Sequence, residues 1–335
     1  MQKKALILIF LLLLFVLPSI PVKGAPAHYR YITVYNPNSY DLVDYQVRID
    51  LTAYTLTDSS GTDVRFYDGT TQLVFWRESW AGSQAGQSKV FWVKMSIPAN
   101  GKKTIKITYA DPSATDASSI ASTMDLYDDF STFANGTRWY VRYKGIDYNG
   151  NRIATTGTAE AVSGQLHLKG NSDGTTVRHS YVFVESIMKF TNGFEVVYSD
   201  SMAGSDIDNV VELGVPDIPW PFWSSNTYFF IHEFPGVLPD YYYEIIKSYA
   251  GNILAHSAGS YSLNYPTYNS IKYFRNGTMI WTVRQSTTYQ LKATDTTYLS
   301  DAKPIVLGQG GYEGTNPDRY IDYIYVRKLA DKEPT

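Results

Sequence analysis

Short runs of alternating apolar and polar residues, separated by turn residues, constrain this chain more than any other feature of its sequence. In Tyr45–Leu51 the apolar side chains fall at every second position, and the same period recurs in Phe91–Ile97 and Thr104–Tyr109. This period places one face of a β-strand against a core and the other face in solvent. After the N-terminal segment, no window keeps apolar residues at helical spacing over three turns. The sequence therefore predicts an all-β fold.

The length and composition limit how these strands are arranged. A chain of 335 residues is long enough for two domains, and a single layer of strands would leave an apolar face in water. Two consecutive antiparallel β-sandwiches are therefore predicted. The sequence has no cysteine, so each domain must be stabilised by burial or by bound ions. The formal net charge of −3, without a basic block, argues against nucleic acid as a partner.

The N-terminus has the pattern of an export signal. Two lysines at positions 3 and 4 precede an apolar run from Ala5 to Leu17, and small residues follow at Gly24 and Ala25. The run is short for a membrane span, so we interpret residues 1–24 as a signal peptide and expect an extracellular or cell-surface protein. The alternative is a segment that is retained as an anchor.

The stretch Ala110–Phe130 predicts the boundary between the two domains. Pro112 ends a strand, and the Ser/Ala/Thr-rich residues 113–124 have neither the apolar content nor the period of a core element. The predicted organisation is a first sandwich over 25–112, a linker over 113–124, a second sandwich over 125–329 and a polar tail over 330–335. Asn100-Gly101 and Asn276-Gly277 predict tight hairpins, since such pairs supply left-handed residues.

Several segments of the first domain resemble, in order, the signatures of a family called domain of unknown function 2341. The matching segments are DYQVRIDL at Asp44–Leu51, DVRFYD at Asp63–Asp68, FWRE at Phe75–Glu78, VFWVK at Val90–Lys94 and IPANGKKTIKITYADPSA at Ile97–Ala114. Where that family commonly has glycine after the last strand, this chain has Ala110. The resemblance implies an exported archaeal or bacterial surface protein, and it names no reaction.

The second domain is similar to concanavalin A-like lectin/glucanase jelly rolls. Two segments carry this similarity, Tyr127–Phe130 at its start and the strand Tyr320–Arg327 at its end. The predicted fold class is therefore two successive sandwiches, the second a concanavalin A-like jelly roll.

No catalytic motif is found. Gly170–Gly174 reads GNSDG, but a nucleophile elbow must lie between a strand and a helix, whereas strand-forming residues follow here. The five histidines lack the spacing of a metalloprotease site. The acids Asp206, Asp208 and Glu212 are in phase on one strand, but they do not form the Glu-x-Asp-x-x-Glu pattern of jelly-roll glycosidases. The prediction is a protein that is not an enzyme, with a glycoside hydrolase as the weakest alternative.

Two acids are candidates for a calcium site. If the first and last strands of the second domain pair, Asp129 and Asp322 approach one another, and calcium prefers carboxylate and carbonyl oxygens. The alternative is that both carboxylates simply face water.

Aromatic loops are the feature most typical of a binding surface. Pro216–Phe230, Pro239–Tyr243 and Tyr261–Tyr268 combine aromatic residues with prolines. Such rings can lie against the apolar faces of sugars while neighbouring polar groups bond to hydroxyls. The alternative is that these loops bury their own rings. The predicted carbohydrate-binding residues are Trp220, Trp223, Tyr228, Tyr241, Tyr242, Asp217, Asn226 and Asp240.

The sequence thus favours an exported glycan-binding protein whose partner is a glycan or cell-envelope polysaccharide. The alternative is a structural envelope component that self-associates through its sheet edges. Two sequons, at Asn135 and Asn276, are predicted acceptors of N-glycans.

Overall fold

The computed structural model describes residues 28–203, 207–214, 227–234, 242–247, 252–258, 267–284, 288–299 and 301–335. The predicted signal segment lies outside these residues. Among the described residues, no helix is long and apolar enough to cross a membrane.

The first sandwich is built from two small antiparallel sheets. Its strands, in chain order, are β1 (His28–Tyr35), β2 (Leu42–Asp50), β3 (Arg65–Asp68), β4 (Thr71–Gln72), β5 (Phe75–Trp80), β6 (Lys89–Ile97) and β7 (Lys102–Tyr109). One sheet has the order β1-β7-β3-β4, and the other has the order β2-β6-β5. The alternation seen in the sequence places Val47, Ile49 and Phe91 in the core between the sheets. The predicted strands of this domain are confirmed.

The predicted hairpin at Asn100-Gly101 is wrong. A turn does form there, and Asn100 adopts a left-handed backbone with φ 49°. However, β6 and β7 lie in different sheets and do not pair with each other. A left-handed residue can serve a hairpin within one sheet or a crossing between two sheets. At Asn100 the chain crosses from one layer of the sandwich to the other.

The predicted linker packs along the first sandwich. It contains the helix α1 (Ile120–Thr123), which begins after Ser119, whose side chain accepts a hydrogen bond from the Ser122 N–H. The Ser119 N–H donates to the Phe75 carbonyl at 2.9 Å, and the Arg77 N–H donates to Ser118 Oγ at 2.8 Å. The Ser/Ala/Thr-rich segment is therefore tied to the edge of β5.

The second sandwich contains the remaining strands. They are β8 (Leu126–Asp128), β9 (Trp139–Asp147), β10 (Arg152–Ile153), β11 (Gly157–Val162), β12 (Gln165–Gly170), β13 (Val177–Phe190), β14 (Phe194–Ala203), β15 (Ile207–Leu213), β16 (Tyr228–Phe234), β17 (Tyr242–Lys247), β18 (Asn252–Ala258), β19 (Thr267–Tyr273), β20 (Thr278–Arg284), β21 (Thr288–Thr294), β22 (Lys303–Tyr312) and β23 (Asp318–Lys328). They form an eight-stranded sheet, β10-β9-β13-β22-β15-β16-β17-β18, and a second sheet, β11-β12-β23-β14-β19-β20-β21, to which β8 is added by pairing with β23.

The strand order of the second sandwich is that of a jelly roll. Central neighbours such as β13 with β22, or β12 with β23, are far apart in sequence, and all strand pairs are antiparallel. The two sheets face one another over a continuous core that includes Leu166, Val196 and Trp281. The predicted hairpin at Asn276-Gly277 is confirmed, because β19 pairs with β20 and Gly277 has φ 84°.

The six C-terminal residues, predicted as a polar tail that ends the second domain, pack against the first sandwich. Ala330 is buried in the core of that sandwich. The Ala330 N–H donates to Tyr45 Oη at 3.1 Å, and Tyr45 Oη donates to Glu333 Oε2 at 2.7 Å. Thr335 exchanges two backbone hydrogen bonds with Tyr35, at 2.8 and 3.1 Å.

The contact between the two sandwiches is aromatic and charged. Trp92 packs with Tyr325 and Met124 in one buried cluster. The guanidinium of Arg327 lies 4.7 Å from the centre of the Trp92 ring. Arg327 also forms ion pairs with Glu195 at 2.6 Å and with Glu333 of the tail at 2.9 Å. These contacts join the domains without a flexible gap.

Candidate functional site

The outer face of the eight-stranded sheet carries the groups best suited to chemistry or binding. Alternation along β15 places Val211 and Leu213 in the core between the sheets, so Val210 and Glu212 lie on the opposite face. The strand register carries this face across the sheet, pairing Glu212 with Phe229 and Val210 with Ile231. The outer face is thus a continuous surface over neighbouring strands.

Two carboxylates on this face are buried. Glu212 is 0% exposed, and Glu244, the register partner of Ile231 on β17, is 8% exposed. Glutamate is rarely buried to this extent, because removing a carboxylate from water costs free energy that specific partners must offset. A surface where strand alternation places buried acids is a candidate for function rather than for packing alone.

Rings and aliphatic groups lie on the same face of the sheet as these acids. Tyr181 and Phe183 stack at 5.7 Å between ring centroids, and they share one buried cluster with Phe229, Val210 and Ile231. Gly308 makes this packing possible, since a Cβ at that position would lie 2.6 Å from side-chain atoms of both Phe183 and Val210. The face combines aromatic rings with carboxylate oxygens, a chemistry suited to a sugar, although these side chains are between 0% and 8% exposed.

The outer face becomes polar towards the distal end of the sheet, the end farther from the first sandwich. His179 is buried there beside Tyr312, with ring centroids 4.7 Å apart. Burial, with a smaller contribution from the charge of Arg178, lowers the pKa of His179 to about 4. Arg178 donates to Tyr312 Oη at 2.9 Å and to Glu313 Oε1 at 3.2 Å. His179 is therefore neutral at physiological pH.

The aromatic segments predicted to act together leave the sheet at opposite ends. Residues 215–226 follow β15 at its proximal end, the end nearest the first sandwich, where Arg275 lies 4.0 Å from the Tyr40 ring centre. Residues 235–241 and 259–266 follow β16 and β18 at the distal end. Because the seven residues of β16 extend over roughly 23 Å, the attachment points are far apart.

Most predicted sugar-contacting residues lie outside the described part of the chain. These are Trp220, Trp223, Asp217, Asn226, Asp240 and Tyr241, and the same holds for the side chain of Tyr242, whose backbone is the first residue of β17. Their predicted role therefore stays a prediction.

The prediction for Tyr228 is corrected by its burial. Tyr228 is 0% exposed in the core, and its hydroxyl donates to Asp295 Oδ1 at 2.6 Å. Tyr228 lies on the inner face of β16, since Phe229 and Ile231 take the outer face. Its ring packs between the two sheets, so it cannot stack against a sugar at the surface.

The predicted calcium acids both lie near Tyr127. Strand β8 pairs with β23, as the calcium prediction required. Asp129 and Asp322 are both exposed, and both carboxylates help to raise the pKa of Tyr127, which is raised chiefly by burial. Within the described residues, however, no group of three or more acids and histidines could hold a metal ion. Calcium needs six to eight oxygens, so this pair alone fits it poorly.

Both predicted sequons are exposed. Asn135 precedes β9, and its Oδ1 accepts from the Val141 N–H at 3.0 Å. Asn276 lies in the confirmed turn between β19 and β20, and its Oδ1 accepts from the Thr278 N–H at 2.9 Å. In each case the side-chain oxygen accepts a local backbone hydrogen bond, while the residue stays exposed to solvent.

A buried polar cluster between the two sheets was not predicted. Arg319 and Asp200 form an ion pair at 2.8 Å, and Arg319 is 0% exposed. Asn209 and Asn269 donate to the two oxygens of Asp200 at 3.2 and 2.9 Å, and Trp281 Nε1 donates to Asn269 Oδ1 at 3.3 Å. The cluster links the sheets across the core. Its members are spread from position 200 to position 319, so no local sequence signal identifies it.

Comparison with known proteins gives one family match. The family model described as domain of unknown function (DUF2341) matches residues 60–142, which overlaps the predicted first domain and continues through the linker into β9. No curated protein matches the chain by sequence.

Several solved structures are similar to this chain. A laminarinase from Flavobacterium sp. UMI-01 is 15% identical, with a TM-score of 0.44, over 61% of this chain and 100% of its own. Peanut lectin in complex with a nonapeptide is 11% identical, with a TM-score of 0.43, over 60% of this chain and 96% of its own. A structure from work on endo-acting O-glycanases of human gut bacteria is 14% identical, with a TM-score of 0.43, over 62% of this chain and 99% of its own.

TM-scores below 0.5 carry no inference about a ligand or a reaction. The architecture of the second sandwich is instead established by its own strand order. The chain matches the DUF2341 family over residues 60–142, as the resemblance in its sequence implied, and its second domain is an antiparallel sandwich with the strand order of a jelly roll.

Proposed function

We propose that the chain is an exported glycan-binding protein that holds its ligand without cleaving it. The observation that carries the proposal is the outer face of the eight-stranded sheet, which carries Glu212 beside Phe229, Glu244 beside Ile231, and the rings of Tyr181 and Phe183. These side chains are between 0% and 8% exposed, so the proposal requires that a ligand gains access to this face on binding. Carboxylates accept hydrogen bonds from sugar hydroxyls, and rings cover the apolar faces of the sugars. The predicted signal peptide at residues 1–24 supports a location outside the cell.

The position of this face fits an extended ligand better than a single sugar. The aromatic segments join the sheet at both ends of β16, and the buried carboxylates belong to strands on either side of it. A polysaccharide that lies along the outer face would reach both ends of the strand. A monosaccharide would occupy only one of them.

The experiment is a glycan-array screen of the secreted chain, followed by calorimetry with the best polysaccharide. Glu212→Gln and Glu244→Gln keep the size of the side chain and remove its charge, so each should weaken binding about tenfold or more if a charge-assisted hydrogen bond is lost. Glu160→Gln is the matched control, because Glu160 lies on β11 in the other sheet and its side chain is 58% exposed. Unchanged affinity in both outer-face variants would contradict the proposal.

A glycoside hydrolase is the second candidate, and the same two acids favour it. Glycosidases use a pair of carboxyl groups that flank the bond to be broken. Glu212 and Glu244 lie on one face, on strands separated only by β16. Release of reducing ends from the bound polysaccharide, abolished by Glu212→Gln or Glu244→Gln, would replace binding by hydrolysis as the function.

Calcium is tested separately. Because Asp129 and Asp322 supply too few ligands for a calcium ion, we expect EDTA to leave both glycan affinity and the unfolding temperature unchanged. A rise in unfolding temperature on adding Ca²⁺, absent in Asp322→Asn, would instead show that the pair belongs to a calcium site.

A further inference from the structure

The first sandwich presents exposed aromatic rings on one of its two sheets. Its sheet β2-β6-β5 turns its outer side towards the second sandwich, since Trp92 packs there with Tyr325. The sheet β1-β7-β3-β4 is the opposite layer, so its outer side points away from that contact. On that side Tyr29 and Tyr31 of β1 are 65% and 67% exposed.

The strand register gathers these rings into rows that cross the sheet. Ile32 packs against the core, so Tyr29 and Tyr31 project outward, with their ring centroids 5.8 Å apart. Tyr31 pairs with Lys106 of β7, and Lys106 pairs with Tyr67 of β3. Since neighbouring strands are about 4.8 Å apart, the backbones of Tyr31 and Tyr67 are separated by roughly 10 Å, with Lys106 on the strand between them.

The charges on this side of the sheet are all positive. Alternation turns Arg65, Lys102 and Lys106 outward, and it places no acid on this side of the described strands. The acid of β3, Asp68, faces the inner side and pairs with Lys103 at 2.5 Å. Arg65 donates to backbone carbonyls, which carry no net charge. The surface therefore attracts anions.

Hydroxyl groups lie beside the rings and cations. Thr33 and Thr104 are both exposed, and their side-chain oxygens share a hydrogen bond at 2.9 Å. The Lys106 ammonium lies 5.2 Å from the centre of the Tyr67 ring. Rings can cover the apolar faces of sugars, hydroxyls can bond to sugar hydroxyls, and cations can hold an anionic substituent.

A lipid surface suits this side of the sheet less well. Elements that enter a membrane interface carry Trp, Phe or Leu side chains on their apolar face. The outward positions of the described strands β1, β7, β3 and β4 carry tyrosine, threonine, glutamine and cations instead. Tyrosine and threonine keep a hydroxyl in water, so little of this surface is suited to lipid tails.

We propose that this surface binds an anionic polysaccharide, one that carries uronate carboxylates or sulfate esters. We call it the tyrosine face and define it by Tyr29, Tyr31, Arg65, Tyr67 and Lys106. Sugar rings stack on Tyr31 and Tyr67, and Lys106 between them holds the anionic group. The tyrosine face goes beyond the proposed function, because it belongs to the first sandwich and shares no residue with the outer face of the eight-stranded sheet.

The test measures binding of the full chain to polygalacturonate and to dextran sulfate by calorimetry, with uncharged dextran as the control polysaccharide. We expect a charged polysaccharide to bind, dextran not to bind, and added salt to weaken binding. The tighter of the two charged polymers identifies carboxylate or sulfate as the preferred group. Tyr31→Ala and Lys106→Gln should each weaken binding about fivefold or more. Tyr148→Ala and Lys292→Gln, at exposed positions of the second sandwich, are the matched controls and should leave the affinity unchanged.

Chemical footprinting on the unaltered chain locates the site without any substitution. The bound polysaccharide should protect Lys102 and Lys106 from an acetylating reagent and leave Lys292 reactive. The proposal is overturned if neither charged polymer binds, if dextran binds equally well, or if the controls lose as much affinity as Tyr31→Ala and Lys106→Gln. Tighter binding of phosphatidylserine vesicles or of a single-stranded oligonucleotide would also overturn it. The proposed function is tested by separate variants in the second sandwich, so either result can fail alone.

Discussion

Replacing Asp200 by asparagine should destabilise the second sandwich more than any surface charge change. Asp200 and Arg319 are 2% and 0% exposed, and the carboxylate accepts from Arg319 Nε at 3.0 Å and from two asparagines. Asp200→Asn leaves the guanidinium buried without its counter-charge. Breaking a buried pair in this way costs about 3–5 kcal/mol, and at about 2–4 °C per kcal/mol the unfolding temperature should fall by roughly 6–20 °C.

The assay is differential scanning calorimetry, with the transition of each sandwich followed separately because the chain has two cores. The double variant Asp200→Asn/Arg319→Met removes both charges and should recover most of the lost stability. Asp68→Asn is the surface control, because the pair of Asp68 with Lys103 is partly exposed and should contribute less than about 1 kcal/mol. The reasoning is refuted if Asp200→Asn unfolds within about 2 °C of the unaltered chain, or if the double variant is no more stable than the single one.

Three further predictions follow from burial and packing. The pKa of His179 is about 4 in the folded chain, against an ordinary value of 6.5. As the pH falls, the unfolded chain therefore binds a proton at this residue before the folded chain does. The free energy of unfolding should fall by up to about 3 kcal/mol between pH 6.5 and 4. Urea unfolding should show a smaller fall for His179→Gln than for the unaltered chain, and equal pH profiles of the two would contradict this. Gly170→Ala should lower the unfolding temperature of the second sandwich by several degrees, because the alanine Cβ would lie 2.3 Å from the Ser180 carbonyl oxygen. An unchanged calorimetric transition would show that the backbone can move aside. Truncation after Leu329 should cost the first sandwich about 2 kcal/mol or more through the lost contacts of Tyr45 and Tyr35, measured by calorimetry, while leaving the core of the second sandwich folded; a lower transition in the second sandwich alone would be the opposite result.

The strands could be predicted because their signal is local. Alternation along Tyr45–Leu51 or Phe91–Ile97 shows directly which residues face a core, and Asn276-Gly277 joins two strands that are also neighbours in space. At Asn100-Gly101 the same local signal leads to a different result, because turn residues do not show whether the next strand stays in the sheet. Sheet membership depends on contacts between distant parts of the chain.

The departure at Ala110 has a physical explanation that the sequence alone did not provide. Ala110 adopts φ 62°, a left-handed backbone that glycine enters without strain, and its N–H donates to Asp63 Oδ2 at 2.6 Å. The related family commonly has glycine at this point. The turn therefore keeps the conformation that glycine favours, and the hydrogen bond to Asp63 helps to hold alanine in it.

The candidate site could be predicted only in part. The in-phase position of Glu212 is visible in the sequence, but its burial and its placement on the same face as Glu244 depend on the pairing of β15, β16 and β17. The aromatic segments are close in sequence, yet successive strands run in opposite directions, so the described strand ends from which the segments leave lie at opposite ends of the sheet. Tyr228 illustrates the limit, since a shift of one position along a strand moves a side chain from one face of the sheet to the other.

The return of the C-terminus to the first sandwich has a consequence for biosynthesis. Ala330 and Tyr45 are hydrogen-bonded although 285 positions separate them, so the core that contains Val47 and Phe91 gains its last residues only when the whole second sandwich has been made. While the second sandwich is being synthesised, the first sandwich of a nascent chain would lack these core residues. Its apolar side would meanwhile be open to chaperones or to neighbouring chains. Completion of the second sandwich, rather than the synthesis of residue 112, is then the moment at which the first sandwich can reach its final stability.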